Sequence, residues 1–280
     1  MVTSSMIGPE TVRELIVHEA RVHAMPGREI RQLDDATVLY DPRDAEPFWN
    51  RLVGLRWPSD GRAFDRRLDE VITLFATLGR VPHVWPLPLA NEPPDLIGRL
   101  VGTGFESISE TVVMVLVNPS VARNSSVASP GDDQNITVDR FQGLTAASVR
   151  ASPALAEVLV DAFDVGIERL GATEAETLAA LDEQGVDITL VTLDGEPAAV
   201  AKRTTLDGMS YISSIGTRRR FRGRGLGRLV TALVSRDAFE FGSRWTYLAV
   251  HAENHVARRV YERVGYVAIG APVPHLLLRG

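Results

Sequence analysis

The chain of 280 residues contains no cysteine. Disulfides, thiolate catalysis and cysteine-held metal centres are therefore excluded. Lysine is almost as scarce: Lys202 is the only one, and arginine carries the positive charge everywhere else. Long apolar runs are also lacking. Val112 to Val117, the longest near the middle, is far too short to span a bilayer. Met1 to Glu10 has no basic segment followed by an apolar run, so a secretory leader is not expected. These absences point to a cytoplasmic protein with no membrane partner. The net charge is −6, so a chain-wide affinity for nucleic acid or anionic lipid is not expected, and any basic site must be local. What is present is apolar material: 45% of residues are hydrophobic against 24% charged, enough to build one large core or two ordinary ones.

Residues 118–135 read NPSVARNSSVASPGDDQN, with no apolar period, which is the composition of a linker. The two sides of it repeat a pattern. Before it, a helix is expected over 64–78, with Phe64, Leu68, Val71, Ile72 and Phe75 on one face. A strand near 81–85, a helix over 94–103 stopped by Gly104-Phe105, and a strand over 111–117 follow. After it, a helix is expected over 225–241, with Leu226, Leu229, Val230, Leu233 and Val234 inward. A strand over 246–250, a short helix from Asn254 to Gly265-Tyr266, and a strand over 273–278 follow. Gly104 and Gly265 stand where a left-handed helix cap is wanted. Two helices, 153–169 and 173–184, precede a meander in the second half. Its strands 188–193 and 197–203 join at Asp194-Gly195, and Asp207-Gly208 turns into strand 209–216. The reading is mixed α/β, with one unit duplicated.

The stretch IGTRRRFRGRGLGRLV, residues 215–230, gathers six arginines and spaced glycines between a strand and a helix. A helix N-terminus offers free N–H groups and partial positive charge. Together they favour an anion. Glycine lets a phosphate approach the backbone, and arginine adds forked donors. A dinucleotide fingerprint does not fit, because the third glycine would fall at Arg228 and an antiparallel meander precedes it. A nucleic-acid patch is disfavoured by the acidic chain and by Phe221 being the one aromatic nearby.

Arg222-x-x-Gly225-x-Gly227 after a strand resembles the acyl-CoA pyrophosphate loop of the GNAT superfamily of N-acyltransferases. Leu248-x-Val250-x-x-x-Asn254-x-x-Ala257-x-x-x-Tyr261-x-x-x-Gly265-Tyr266 resembles that family's second signature. The likeness covers residues 136–280 well and 1–117 only in pattern. It implies two GNAT-like domains, each a central, mostly antiparallel sheet flanked by helices. Residues 1–117 would form a degenerate domain, 118–135 a linker, and 136–280 the catalytic domain. It further implies acetyl-CoA as acyl donor, a small-molecule amine as acceptor, and no metal or nucleic acid; a homodimer is compatible with it. Ile215, Gly216 and Thr217 would pair with the pantetheine arm. The backbone of Arg222, Gly223, Arg224, Gly225, Leu226 and Gly227 would take the pyrophosphate, and Asn254 would cap its helix and touch the cofactor. Tyr261 would be the general acid.

Many relatives carry a glutamate base on the strand before the loop. Met209 to Ile215 holds no acid, which leaves Glu253 or His251 as substitutes, with Glu196 or Asp207 acting through water. A CoA-binding sensor without catalysis is the rival reading. In the first half, Leu100 stands opposite Tyr261 and Pro93 opposite Asn254, and no phosphate loop precedes the long helix. That half is expected to bind no CoA, with His83 and Trp85 in core or edge positions.

Overall fold

The computed structural model describes residues 7–118 and 135–279. The expected linker, 118–135, lies almost wholly outside the described residues. The chain divides into two compact units, but not by a single cut. Among the described residues, one unit runs up to Val113 and takes back Ala249–Asn254 and the chain from Ala268 onward. The other holds Met114–Leu248 and His255–Val267.

The first unit opens with α1 (Pro9–Ala24), β1 (Glu29–Gln32), β2 (Thr37–Tyr40) and β3 (Arg51–Val53). None of these had a counterpart in the sequence reading; β1, β2 and β3 are strands of three or four residues, which carry too little alternation to register. Next come α2 (Gly61–Thr77), β4 (His83–Trp85), α3 (Leu96–Gly102) and β5 (Phe105–Leu116), whose last three residues count with the second unit. β1, β2 and β3 are antiparallel, while β3 and β4 run parallel, with Leu52 opposite Val84. That parallel pair needs the crossover that α2 supplies. α2 buries Phe64, Leu68, Val71 and Phe75, as its period required. They pack with Leu52, Val84 and Leu100 in one apolar core. His83 and Trp85 are buried in the same unit, so both are core residues.

β12 (Val273–Leu278) corrects the expected boundary. It pairs antiparallel with β4 and with β5, inside the first unit. The unit expected to be residues 136–280 therefore lends its last strand to the sheet built by residues 1–117.

The second unit contains β6 (Ile136–Gln142), α4 (Ala146–Phe163), α5 (Leu170–Asp182), β7 (Val186–Leu193), β8 (Glu196–Leu206), β9 (Met209–Thr217), α6 (Leu226–Glu240), α7 (His255–Val264) and β11 (Tyr266–Ala268). β10 (Trp245–His251) follows α6 and lies in this unit up to Leu248. β6 to β9 form an antiparallel meander. Asp194-Gly195 and Asp207-Gly208 all take positive φ, the backbone of the tight turn that suits strand twist.

α4 begins seven residues before the expected 153–169 and ends six before it. Thr145 and Ser148 form a capping box at its start. Pro153, read as a helix start, sits inside. Proline has no N–H for the Val149 carbonyl. The Ser152 hydroxyl lies 2.9 Å from that oxygen and replaces the missing donor.

Candidate functional site

β9 and β10 are parallel, and their register runs from Met209↔Trp245 only to Tyr211↔Tyr247. From Ile212 to Thr217, β9 continues its ladder on β8. Its pairing with β10 therefore ends before Ile215, Gly216 and Thr217. A bulge accompanies the end of that pairing. Val200 pairs Gly216 and Lys202 pairs Ser213, so Ser214 and Ile215 together oppose Ala201. Ser214 takes φ 52°, a left-handed value that costs a non-glycine residue energy. Such a bulge bends a strand and re-aims its groups. Nothing in the residue types at 213–215 announces it.

After β9 the chain makes a short 3-10 turn, Arg219–Phe221, and then enters the glycine loop. Gly223 and Gly225 have φ of 79° and 78°. Gly225 is the N-cap of α6, in the left-handed region, and no side chain caps the helix. The first N–H groups of α6 thus meet no capping side chain. Gly227 is different: its φ is ordinary, but a Cβ there would meet Thr217 Oγ1 at 3.4 Å. At Gly216 a Cβ would meet Ala162 Cβ at 2.8 Å, so this glycine lets α4 lie against the strand. Residues 222–225 are exposed.

The arginines divide into two groups. Arg218 faces Glu157 at 3.7 Å, Arg219 pairs Asp164, and Arg220 pairs Glu196. The Arg219 backbone N–H also donates to Asp161 at 2.6 Å. Arg222 donates to the carbonyls of Ala162 at 2.8 Å and Thr217 at 3.3 Å. These side chains fasten the loop to α4 and β8. Arg224 lies over the Phe221 ring at 5.7 Å, and neither it nor Arg228 has an ion-pair partner among the described residues. Three of the six arginines are thus matched with carboxylates, and Glu196 is engaged as one of those partners. Asp207 sits in the turn at the far end of β9 from the loop.

Tyr261 lies on α7 and is 7% exposed. Burial pushes its phenol up to about 12, so it keeps its proton at neutral pH. Its ring meets Tyr266 edge-on at 6.3 Å. Tyr266 is held by a hydrogen bond of 2.7 Å to Ser235, and the Ser235 hydroxyl also reaches the Thr231 carbonyl. Thr231 in turn donates to Gly227 O at 2.7 Å. A buried hydroxyl ladder thus joins the glycine loop to the aromatic pair. The sequence reading missed it because it gave α6 an apolar inner face, whereas Thr231 and Ser235 are buried with their hydroxyls satisfied on preceding carbonyls. Asn254 immediately precedes α7 and is exposed, as are His251 and Glu253. The segment Ala249–Asn254 clusters with the first unit.

Residues 191–272 match the family model described as FR47-like protein. Among solved structures, a GCN5-related N-acetyltransferase from Kribbella flavida is similar over 96% of both chains, at 22% identity and a TM-score of 0.68. One from Sphaerobacter thermophilus is similar over 79% of this chain and 68% of its own, at 20% identity and a TM-score of 0.52. A tandem GNAT protein from the clavulanic acid biosynthesis pathway is similar over 91% of this chain and 83% of its own, at 14% identity and a TM-score of 0.57. No curated protein sequence matches. The fold is that of the GNAT superfamily. It is mixed α/β, and one of its similar structures is described as a tandem protein of that class.

Proposed function

We propose that this protein is an acyltransferase that moves an acetyl or other short acyl group from acyl-CoA to the amine of a small molecule. The observation that carries the reading is the coincidence of two features of the second unit. The N-terminus of α6 is left uncapped behind Gly223 and Gly225, and the edge of β9 is released beyond Tyr211. A diphosphate needs the first, and an extended amide-bearing arm needs the second. Glycine at 227 keeps the approach beside Thr217 narrow but open.

Acyl-CoA supplies a thioester already activated toward amines. The chain's own part is positioning and electrostatics. A backbone N–H near Thr217 would polarise the thioester carbonyl. Tyr261, held protonated by burial, donates its proton to the departing sulfur. Glu253, just beyond β10, is the proposed acceptor of the amine's proton, in the place of the glutamate that β9 lacks. Asn254 serves α7 and the cofactor. No helix among the described residues is long and apolar enough to cross a membrane, and the CoA pool of the cytoplasm is the setting this reading calls for.

The test is the melting temperature with acetyl-CoA, with NAD and an oligonucleotide as controls. A ligand at about 100 times its Kd adds roughly 2.7 kcal/mol. A rise with acetyl-CoA alone supports the reading, and the absence of any rise defeats it. A rise without turnover on any amine would favour the sensor.

A further inference from the structure

Resting on the acyl-transfer reading, we infer that the acyl group taken from CoA is an apolar chain longer than acetyl, held in a cavity of the second unit beside the bulge of β9. The cavity holds about 110 Å³. Its apolar lining is Leu159 of α4, Ala180 of α5, Ile188 of β7 and Val200 of β8. A cavity of about 150 Å³ lined by such side chains takes a benzene ring, so this one has room for a chain of about four carbons. The cavity adjoins the strand proposed to carry the donor's arm. Ser214, the left-handed residue of the bulge, is part of the lining. Val200 stands opposite Gly216 in the ladder, and a Cβ on Gly216 would lie 3.8 Å from Val200 Cγ1. An arm laid from the phosphate loop along Thr217, Gly216 and Ile215 points its acyl end toward Ser214. The acyl group is therefore the part of the donor that meets the cavity.

The charged members of the lining do not ask for a charged chain. Glu176 pairs with Arg169 at 3.1 Å, and Lys202 is engaged within the structure. The Thr177 hydroxyl donates to the Thr173 carbonyl at 2.7 Å, inside α5. The apolar side chains, by contrast, gain dispersion contacts only when an apolar group fills the space between them. An acetyl group alone would leave most of that space empty. The depth of the cavity is also fixed relative to the donor. Arg222 donates to the Ala162 carbonyl at 2.8 Å, and the Arg219 N–H to Asp161 at 2.6 Å. These bonds tie α4, and with it Leu159, to the phosphate loop. A donor anchored by its diphosphate is thus measured against a wall held at a set distance.

The experiment measures Kd by calorimetric titration for the acetyl, propionyl, butyryl and octanoyl thioesters of CoA, and for the carboxylate-ended succinyl thioester. Kd should fall about fourfold for each methylene added up to butyryl, the gain from burying one CH₂ group. Octanoyl-CoA should gain little over butyryl-CoA, and succinyl-CoA should bind no better than acetyl-CoA. Ala180→Leu fills the cavity and should bring butyryl-CoA back to about the Kd of acetyl-CoA, with a cooperative melting transition showing that the variant is folded. The thioester series on the unaltered protein decides the matter even if that variant does not fold. Equal Kd for acetyl and butyryl, tighter binding of succinyl, a gain that continues through octanoyl, or an intact preference in folded Ala180→Leu each overturns the inference. In all of these the thioesters still bind, so the acyl-transfer reading stands. Failure of every thioester to bind defeats the acyl-transfer reading itself.

Discussion

Each unit contains a parallel strand pair bridged by a long helix: β3-α2-β4 in the first, β9-α6-β10 in the second. The two helices begin differently. Asp60 caps α2, its carboxylate accepting the Ala63 N–H at 2.9 Å. α6 begins on Gly225, which caps with nothing. The first unit has thus filled its helix N-terminus with an internal anion, and a second anion would meet repulsion there. The strands differ in the same sense. Beyond β3, Trp57 N–H bonds to Glu92 O at 3.1 Å, and Arg56 bridges to Glu92, so the strand's continuation is occupied. Beyond Tyr211, β9 leaves β10. Leu100, the counterpart of Tyr261, is wholly buried apolar core. One unit caps its long helix with its own carboxylate and continues its strand pairing, and the other begins its helix without a capping side chain and ends its strand pair at Tyr211.

The comparison breaks most sharply at Gly225. Gly225→Glu puts a carboxylate on α6 much as Asp60 sits on α2, and adds a side chain at positive φ. The acetyl-CoA melting shift should vanish. Gly225→Ala, which carries the backbone strain of about 1–2 kcal/mol without the charge, should lower the melting temperature yet keep part of the shift. Next in size, Tyr261→Phe should cut acyl transfer by about 10²–10⁴-fold with the acetyl-CoA shift unchanged. A loss of binding instead would make Tyr261 a packing residue like Leu100.

Acid should distinguish the units next. His83 Nδ1 faces the Pro47 carbonyl at 2.7 Å and must be its donor. His83 Nε2 then accepts from His275 Nδ1 at 3.1 Å, and His275 Nε2 accepts from Thr111 Oγ1 at 2.9 Å. Both imidazoles are neutral in this chain of bonds. Burial pulls them down, to about 4 for His83 and about 3 for His275, aided by the nearby Arg51. A depressed folded value means the unfolded chain binds the protons first. The stability they contribute is present above about 6.5, and it falls as pH drops from there toward 4. Urea midpoints between pH 7 and pH 4.5 should drop, and His275→Gln should flatten the drop. The smallest effect expected is Asp60→Ala, a loss of about 1 kcal/mol of stability. A second acetyl-CoA site gained on this change would make Asp60 the one barrier in the first unit, and no gain is expected because the continuation of β3 is also occupied.

Much of this was legible before the structure. The turns at Asp194-Gly195 and Asp207-Gly208, the cap at Gly265, the faces of α2 and α6 and the loop at Gly223 to Gly227 are all local signals. Each depends on residue type at a fixed offset. What was not legible depends on partners distant in sequence. The release of β9 from β10 is a matter of register. The bulge at Ser214 shows only against Lys202 and Val200. The pairing of Arg218, Arg219 and Arg220 was not legible, because Glu157, Asp164 and Glu196 lie outside the motif. The home of β12 could not be read at all, since Val273 to Leu278 would suit either sheet by pattern.

That last strand has a consequence for how the protein is made. β12 stands between β4 and β5, with His275 bonded to both His83 and Thr111. The unit translated earlier therefore waits for residues that are synthesised only after the second unit. Its sheet must stay open through the translation of the second unit and close only once residues 273–278 have followed. Loss of residues 273–278 would then be read out as damage to the half of the protein that was translated earlier.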